Sequence, residues 1–377
     1  TGKPKCIVHS AGGVLLQHLK ELRLHTDLTA KDVIFYFTTC GWMMWNWLVS
    51  SLAVGATVVL YDGAPLFPKP SRLLDLIDEA NISVFGTSAK YISSLAKLNL
   101  QPRQTHQLTH LRTILSTGSP LNPHYFDYVY QAVKSDLMLC SISGGTDILS
   151  CFALGNPLLP IYRGQLQCFG LGMAVDVVDE QGHSIHDVCG ELVCRQSFPA
   201  MPICFWNDAN QQKFYQAYFS KYPGVWAHGD YAKITAQQGL IIYGRADATL
   251  NPGGVRIGTA ELYRQLDTID AVVEGLAVEQ QWQDDTRIIL FVVLQPNLTL
   301  DMALKQHIQQ TIRNNTTARH VPHKIIQVSD LPRTVSGKPV ELAVRNIIHD
   351  LPIQNQTALA NPEVLIEFAH LADLQTD

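Results

Sequence analysis

Two arginines flank a glycine-rich turn in residues 243–261, and this stretch has the composition of an anion site. Arg245 is followed by Asp247, and Arg256 follows the tetrad Asn-Pro-Gly-Gly at 251–254. Glycine adopts positive φ and lets a backbone pass close to a ligand, while arginine supplies positive charge for a phosphate. A plain linker is more often rich in serine or proline. The spacing indicates a charged joint between two kinds of domain, and a polar turn without function stays open as the alternative.

A lysine-bearing loop precedes the first apolar run of the chain. Thr1, Gly2 and Lys3 stand shortly before Ile7 and Val8. Backbone N–H groups and a cation in such a loop are suited to phosphate. A Thr-Gly-Lys tripeptide is more often a surface turn, so this motif alone decides nothing.

Two further loops each follow an apolar run that predicts a strand. One is the Ser-Thr-Gly-Ser-Pro run at 116–120, and the other contains Gly144, Gly145, Thr146 and Asp147. Open α/β sheets bind their ligands at the carboxyl ends of the strands. The glycine pair allows close backbone approach, the threonine offers a hydroxyl for a phosphate oxygen, and the aspartate offers a carboxylate for Mg²⁺. The alternative is a turn in which the aspartate caps a helix.

A carboxylate and a lysine complete the candidate residues. Asp230 closes the sequence Trp-Ala-His-Gly-Asp, where a carboxylate at a strand end is placed to accept hydrogen bonds from two sugar hydroxyls. Lys338 lies in the run Pro-Arg-Thr-Val-Ser-Gly-Lys-Pro at 332–339, which predicts an exposed loop framed by proline and glycine. Most loops of this kind are plain turns, so a function for Lys338 depends on the other motifs.

The bulk composition is that of a globular protein of two or three domains. The 377 residues include 28 Lys+Arg and 33 Asp+Glu, for a net charge of −5, so neither nucleic acid nor an anionic membrane is expected as a partner. The eight cysteines form no C-x-x-C pair, which is typical of free, buried thiols in a reducing compartment. No apolar run reaches the roughly 18 residues of a membrane span. We expect a cytoplasmic protein.

A hydrolase that uses Ser, His and Asp is a further alternative. The sequence contains 14 histidines but no Gly-x-Ser-x-Gly elbow. Histidines such as His18 and His307 stand in helical patterns, where they are usually solvated or have their hydrogen bonds satisfied. No group of His and Cys has the spacing of a zinc site.

The periodicity divides the chain into three regions: 1–150, 151–246 and 247–377. In the first, continuous apolar strands alternate with helices, which predicts a parallel or mixed sheet with helices on both faces. Its strand candidates are 33–37, 56–60, 82–85, 111–115 and 137–140, and its helix candidates are 13–22, 42–52, 71–80, 89–98 and 123–133.

The second and third regions differ from the first. Closely spaced strand candidates at 174–178, 190–194 and 239–243 suit a small barrel or meander. After residue 258 the pattern predicts a small α+β unit. Its candidates are a helix from Thr259, strands near 272–273 and 288–294, a helix at 300–313, a strand at 324–328 and a last helix at 340–348.

The order of the motifs resembles the adenylate-forming superfamily of acyl-CoA synthetases, luciferases and peptide-synthetase adenylation domains. The shared pattern is Thr-Gly-Lys-Pro-Lys, Gly-Gly-Thr-Asp, Trp-x-x-Gly-Asp, Gly-Arg-x-Asp-x6-Gly-x-Arg-Ile and Pro-Arg-Thr-x-Ser-Gly-Lys, and it covers essentially the whole chain. The resemblance implies an α/β fold: a truncated large adenylation domain, with a mixed α/β sheet and a small β-barrel or meander, followed by a small mobile α+β C-terminal domain. The phosphate loop of the family starts upstream, so the chain is expected to be a C-terminal fragment that begins inside that loop. This leaves the activity of the fragment itself open.

The resemblance also implies roles for the residues named above. The residues that would surround the nucleotide are Thr1, Gly2 and Lys3 in the phosphate loop, Gly118, Ser119 and Pro120 beside the adenine, and Gly144 and Gly145 near the phosphates. Thr146 would bind the α-phosphate, and Asp147 would approach Mg²⁺. Asp230 would hold the ribose hydroxyls, Arg245 would contact ribose or phosphate, and Arg256 would add positive charge at the α-phosphate.

The implied reaction has two steps, and the cofactors implied are ATP, Mg²⁺ and CoA. A carboxylate attacks the α-phosphate of ATP, and cations must offset the repulsion between these like charges. Lys338 would enter the site for this step. In the second step the CoA thiol attacks the acyl-adenylate, and the small domain would rotate about Asp247, with Gly254 near the pantetheine passage.

Several details are most similar to the acetoacetate-activating members of the superfamily. They are the Gly-Gly-Thr-Asp motif, His228, the run 334–341 and the tail 358–363. Acetate-activating members carry Trp and Gln ahead of Thr-Glu, so Gly144 in place of an indole is expected to free volume for a longer acyl chain. The alternatives are a synthetase of another short or medium acid, a peptide-synthetase module, and a nucleotide-binding fragment without turnover.

Overall fold

The structure is a computed structural model that describes residues 5–252, 255–283, 285–334, 337–353 and 359–376. The chain forms two compact units. The larger unit contains Lys5–His228 and Ala232–Ile241, and the smaller unit contains Gly229–Tyr231 and the chain from Ile242 onward. The division into domains at 1–150, 151–246 and 247–377 stays a prediction.

Three of the helices begin at a side chain that accepts a hydrogen bond from the first turn, at Ser10, Ser88 and Asp301. The helices of the described ranges are α1 (Ala11–Lys20), α2 (Met44–Val49), α3 (Arg72–Glu79), α4 (Ala89–Lys97), α5 (Pro102–Thr105), α6 (Pro123–Tyr128), α7 (Gln212–Tyr218), α8 (Thr259–Leu266), α9 (Met302–Asn315) and α10 (Glu341–Ile348). Two of them, α1 and α6, continue into π-helical turns at Glu21–His25 and Val129–Val133.

The strands group into separate sheets. They are β1 (Ile7–Val8), β2 (Val33–Tyr36), β3 (Thr57–Val59), β4 (Val84–Ser88), β5 (Thr113–Thr117), β6 (Met138–Ser141), β7 (Ser143–Gly145), β8 (Ser150–Leu154), β9 (Cys168–Phe169), β10 (Val175–Val178), β11 (Gly190–Cys194), β12 (Cys204–Phe205), β13 (Trp226–Ile234), β14 (Leu240–Arg245), β15 (Val272–Trp282), β16 (Asp285–Leu294) and β17 (Lys324–Gln327).

A five-stranded parallel sheet with strand order β3-β2-β4-β5-β6 is the centre of the larger unit. Neighbouring side chains of a strand point to opposite faces, so Phe35 and Phe85 pack in one core cluster while Ile34 and Val84 pack in another. Helices α3, α4 and α6 complete the first cluster, and α2 belongs to the second. The predicted parallel sheet with both faces covered is confirmed, with strand ends shifted by up to three residues.

The other strands that precede β15 form small sheets, which confirms the predicted change to closely spaced strands. One sheet is antiparallel with order β7-β8-β9, a second has the order β10-β11-β13-β14, and β1 pairs with β12. Helix α7 and strands β7, β8, β9 and β12 have no counterpart among the sequence predictions. Strand β13 was expected to end near Asp230, but it continues to Ile234.

The smaller unit is built on a three-stranded sheet with order β15-β16-β17. Strands β15 and β16 pair antiparallel, and β16 pairs parallel with β17. Helices α8 and α9 pack in one core cluster, and α10 with the C-terminal turns packs in another. The α+β prediction is confirmed, although the strand expected near 272–273 continues to Trp282. None of the helices in the described part of the chain is long and apolar enough to cross a membrane.

Candidate active site

The Gly-Gly-Thr-Asp motif forms a tight connection between β7 and β8. Gly144 belongs to β7, and a side chain there would meet the backbone of β8, with a Cβ atom only 1.9 Å from Ser150 O. The expectation that Gly144 vacates volume for an acyl chain is therefore wrong, because the space beside its Cα is occupied by backbone. Thr146 and Asp147 follow in a turn, where Thr146 is exposed and Asp147 is half-buried.

The imidazole of His228 holds this connection from one side. The Nε1–H of Trp226 can only donate, so Nδ1 of His228 accepts it at 3.5 Å and Nε2–H donates to Gly144 O at 3.3 Å. The ring also packs edge-on against Phe152, with centroids 4.7 Å apart. A Cβ atom at Gly145 would lie 2.6 Å from Cε1 of His228, so Gly145 leaves room for the imidazole.

Two buried side chains hold the other end of the connection. Nε2 of His18 lies 2.6 Å from Leu149 O, and Oε1 of Glu21 accepts the N–H of Cys151 at 3.3 Å. Burial lowers the pKa of His18, which keeps the imidazole neutral. The expectation that His18 has its hydrogen bonds satisfied is confirmed, since its other nitrogen lies 2.8 Å from Ser50 Oγ. The Thr146–Asp147 turn is thus supported at both ends.

Asp147 is paired inside the larger unit. The hydroxyl of Tyr218 donates to Oδ1 of Asp147 at 2.5 Å, and Nζ of Lys5 lies 3.5 Å from the same oxygen. Burial alone would raise the pKa of Asp147, but the Tyr218 hydrogen bond and the Lys5 charge outweigh it and hold the pKa below the usual carboxyl range. Burial and the Asp147 charge raise the pKa of Tyr218, so its hydroxyl keeps the proton it donates. Asp147 is therefore an ionised carboxylate in a fixed orientation.

A second predicted loop, which contains Gly118, Ser119 and Pro120, follows β5. It lies at the same edge of the parallel sheet as the chain that follows β6. Ser116 of β5 is in register with Ser141 of β6, so both loops start at the carboxyl ends of neighbouring parallel strands. Gly118 has φ of 93°, a conformation that favours glycine, and Ser119 is exposed. The structure thus places the two predicted loops of this sheet side by side.

In the smaller unit, Asp230 and Arg245 form an ion pair. Nη1 of Arg245 donates to Oδ1 of Asp230 at 3.2 Å, and its Nε lies 3.4 Å from Oδ1 of Asp247. Gly229 has φ of 80°, and a Cβ atom there would lie 2.5 Å from Nη2 of Arg245. The positive φ favours glycine before Asp230, and the guanidinium of Arg245 occupies the space beside its Cα.

Arg256 is held close to the same chain segment. Its guanidinium lies over the ring of Tyr231 at 4.9 Å, and Nη2 donates to Ala246 O at 3.1 Å. Nε of Arg256 also lies 3.4 Å from Thr249 Oγ1. These contacts restrain the side chain and keep its charge in the segment that carries Arg245.

Lys338 lies on a tight exposed turn. The N–H of Lys338 donates to Thr334 Oγ1 at 3.1 Å, Gly337 has φ of 82°, and Arg333 fixes the base of the turn through two hydrogen bonds to Glu274. Partial desolvation lowers the pKa of Lys338, the Arg245 charge adds to this, and Asp230 opposes it. Solvent still reaches the residue, which limits the shift. The predicted residues Asp230, Arg245 and Lys338 therefore belong to one electrostatic group.

Other predicted residues lie outside the described ranges. They are Thr1, Gly2, Lys3 and Gly254. Sequence reasoning missed Tyr218 and assigned no role to Lys5 or His228, although the last two stand inside quoted motifs. Contacts across 71 residues, as between Tyr218 and Asp147, leave no local signal. Among the described residues, no group of three or more His, Cys, Asp and Glu side chains could hold a metal ion.

Two family models match the chain. One, described as AMP-binding enzyme, matches residues 1–201, and the other, described as AMP-binding enzyme C-terminal domain, matches residues 264–338. Among curated proteins, the acetoacetyl-coenzyme A synthetase of Rhizobium meliloti (strain 1021) is 55% identical over 376 residues, which are 100% of this chain and 58% of the relative. The acetoacetyl-CoA synthetase of Rattus norvegicus is 48% identical over 377 residues, or 100% of this chain and 56% of the relative.

A solved structure supports the same assignment. Acetoacetyl-CoA synthetase from Streptomyces lividans matches with a TM-score of 0.94 and 39% identity, over 100% of this chain and 58% of that one. The chain thus spans a little over half the length of the relatives it matches. The fold class and the resemblance predicted from the motifs are confirmed. Because the first family model covers more than half of the chain, the chain belongs to the AMP-binding enzyme family.

Proposed function

We propose that the full-length protein is an ATP-dependent acid–CoA ligase that converts acetoacetate, ATP and CoA into acetoacetyl-CoA, AMP and pyrophosphate. The observation that carries the proposal is the supported turn of Thr146 and Asp147 beside the carboxyl edge of a parallel sheet. The similar relatives are acetoacetyl-CoA synthetases, and their names supply the reaction and the acid for this proposal. ATP, Mg²⁺ and CoA are the cofactors of the proposed reaction.

Asp147 fits a magnesium ligand. Its carboxylate is ionised and anchored through one oxygen, and its side chain is still 32% exposed. Mg²⁺ keeps several waters and is usually bound by one or two carboxylates together with substrate phosphates, so one carboxylate is sufficient. The metal would neutralise charge on the phosphates of ATP. Other side chains, described next, would hold the rest of the nucleotide.

In the first step, an oxygen of the acid attacks the α-phosphorus of ATP, and the bond to the leaving pyrophosphate breaks. The hydroxyl of Thr146 would donate to an α-phosphate oxygen. Arg256 and Lys338 would supply positive charge where two anions approach, and such preorganised charge acts most strongly when water is excluded. Asp230 would accept hydrogen bonds from the ribose hydroxyls, and its partner Arg245 would orient that carboxylate.

In the second step, the thiol of CoA loses its proton to solvent, its thiolate attacks the carbonyl carbon of the acyl-adenylate, and AMP leaves with the bonding electrons of the acyl–oxygen bond. This step needs no cation between a carboxylate and a phosphate, so Lys338 has no role in it. We propose that Asp247 is the hinge for the change between the two steps. Its backbone carbonyl accepts a hydrogen bond from Arg345 at 3.3 Å, and this contact holds the peptide in its present orientation.

The first experiment is acid-dependent release of pyrophosphate by the full-length protein with ATP, Mg²⁺ and CoA. Acetoacetate is compared with acetate, butyrate and 3-hydroxybutyrate. We expect acetoacetate to be preferred by more than about tenfold in kcat/KM, which is roughly 1.4 kcal/mol of transition-state free energy. If another acid is preferred, the proposal of an acid–CoA ligase stands and only the assigned substrate changes. No release with any acid would favour a nucleotide-binding protein without turnover.

We also propose that the partners are small molecules and that the protein works in a reducing compartment such as the cytoplasm. All eight cysteines are free, which supports this setting. They differ from expectation in one respect, because Cys6 and Cys40 are exposed rather than buried.

A further inference from the structure

Helix α7 ends on a tyrosine whose ring is locked by other aromatic side chains. Tyr218 is only 5% exposed, and its ring stacks on Trp226 with a centroid distance of 3.8 Å and an interplanar angle of 12°. Phe205 and Phe214 meet the ring edge-on at 5.7 and 5.3 Å. A buried ring that is stacked on one face and in edge-on contact with two other rings has little room to rotate in a close-packed interior. The hydroxyl of Tyr218 is therefore a fixed point in the larger unit.

The fixed hydroxyl and a lysine converge on one oxygen of Asp147. The Tyr218 O–H donates to Oδ1 at 2.5 Å, a short distance typical of hydrogen bonds to a charged acceptor. Nζ of Lys5 lies 3.5 Å from Oδ1 and 5.2 Å from the centre of the Tyr218 ring. Within the described ranges, the polar contacts of this carboxylate fall on Oδ1. Oδ2 is therefore the oxygen that remains for an incoming ligand.

We propose that Tyr218 is a positioning residue that presents Oδ2 of Asp147 to the magnesium ion of a bound nucleoside triphosphate. The inference rests on the proposed function only in taking Asp147 as the metal ligand. A hydrogen bond to the remote oxygen fixes the rotation of the carboxylate, so the ligand does not lose that freedom when the metal binds. Partners of metal ligands typically change metal affinity by about 10–100-fold when they are removed.

Lys5 makes the inference specific for metal that arrives with a nucleotide. A positive charge close to Oδ1 repels a bare cation, and this repulsion is offset only when phosphates bring negative charge with the metal. The quantity that Tyr218 controls is thus the gain in nucleotide affinity caused by Mg²⁺. The affinity for nucleotide without metal is not expected to depend on the hydroxyl.

The test measures binding of ATP to the full-length protein by calorimetry, with Mg²⁺ and with EDTA and without any acid substrate. The ratio of the two Kd values reports the contribution of the metal. Tyr218→Phe keeps the ring and its stack on Trp226 and removes only the hydroxyl. The matched control is Tyr215→Phe on the same helix, where the ring is 50% exposed. Asp147→Asn is a second variant, which removes the charge of the proposed ligand.

We expect the Mg²⁺-dependent gain to fall by about tenfold in Tyr218→Phe and in Asp147→Asn. The Kd in EDTA should change little in Tyr218→Phe, and Tyr215→Phe should behave as wild type. An unchanged gain in Tyr218→Phe overturns the inference, and so does an equal loss of affinity with and without Mg²⁺, which indicates a purely structural role. If the wild type shows no Mg²⁺-dependent gain, Asp147 is not a ligand and the inference fails. Absence of turnover with an intact gain would contradict only the proposed ligase function.

Discussion

At the scale of single residues, several candidate site residues carry charges whose surroundings fix their orientation. Asp147 is ionised and anchored by Tyr218, and Arg245 is held between two carboxylates. Lys338 differs, because its turn is fixed by backbone hydrogen bonds while its side chain is exposed. Removal of a long, exposed side chain of this kind should not disturb the fold of the turn.

Lys338→Ala in the full-length protein should therefore separate the two steps. We expect formation of the acyl-adenylate to fall by about 10²-fold or more, the scale observed when one preorganised donor is removed from a transition state. Thioester formation from chemically prepared acyl-adenylate and CoA should remain close to the wild-type rate. Single-turnover measurements of each step provide the comparison.

Lys305→Ala on α9 of the same unit is the control, and it should leave both steps intact. Equal losses in the two steps of Lys338→Ala would contradict the assigned role.

At the scale of elements, the parallel sheet is held at its amino ends by one carboxylate. Asp32, just before β2, accepts hydrogen bonds from Ser83 Oγ at 2.8 Å, from Arg112 Nε at 3.0 Å and from the Thr29 N–H at 2.8 Å. Burial opposes ionisation, but these bonds outweigh it and lower the pKa of Asp32 to about 2. One side chain thus connects segments that lie before three different strands.

This pKa predicts a specific loss of stability in acid. A carboxyl with a depressed folded-state pKa stabilises the fold above its unfolded pKa, near 4, and loses that contribution as the pH falls toward about 2. Between about pH 5 and about pH 3, the free energy of unfolding should fall by about 1 kcal/mol more in the wild type than in Asp32→Asn. Urea unfolding at the two pH values measures the difference.

Asp62→Asn, at an exposed position, serves as the reference and should keep the wild-type slope. If the free energy of unfolding of Asp32→Asn falls with pH as steeply as that of the wild type, the Asp32 carboxylate is not the source of the acid sensitivity.

At the scale of the whole molecule, the thiols report on folding. Cys6 and Cys40 are exposed, whereas Cys140, Cys151 and Cys194 are buried. Burial raises the pKa of Cys140 to about 12, which suppresses the reactive thiolate.

In the native 377-residue chain, a chromogenic disulfide reagent should react rapidly with two thiols, and the three buried thiols should react only when the chain unfolds. Cys40→Ser should remove one fast equivalent. Cys168, Cys189 and Cys204 have intermediate exposure and should react more slowly. Reaction of more than these five accessible thiols under native conditions would indicate a looser fold than the structure shows.

The long apolar strands and the amphipathic helices could be predicted because their periodicity is local. Strands of two or three residues, such as β9 and β12, are too short to show a period. The motifs predicted the turns that carry Thr146, Asp147 and Lys338, since glycine and proline mark such turns in the sequence. The partners Tyr218 and His18 could not be found in this way, because folding alone brings them to the loop, and the volume argument for Gly144 failed because the sequence does not show where a Cβ atom would point.

The alternation of the two units along β13 and β14 limits how this protein can be recombined with its relatives. From residue 5 onward, the chain passes between the units after His228, after Tyr231 and after Ile241. A chimera made with a single crossover between residues 231 and 245 would take Gly229–Tyr231 from one parent and Arg245 from the other. Asp230 and Arg245 would then be inherited together only when the crossover falls outside residues 230–245. Gene-shuffling libraries for this family therefore need to exchange these residues as one linked block.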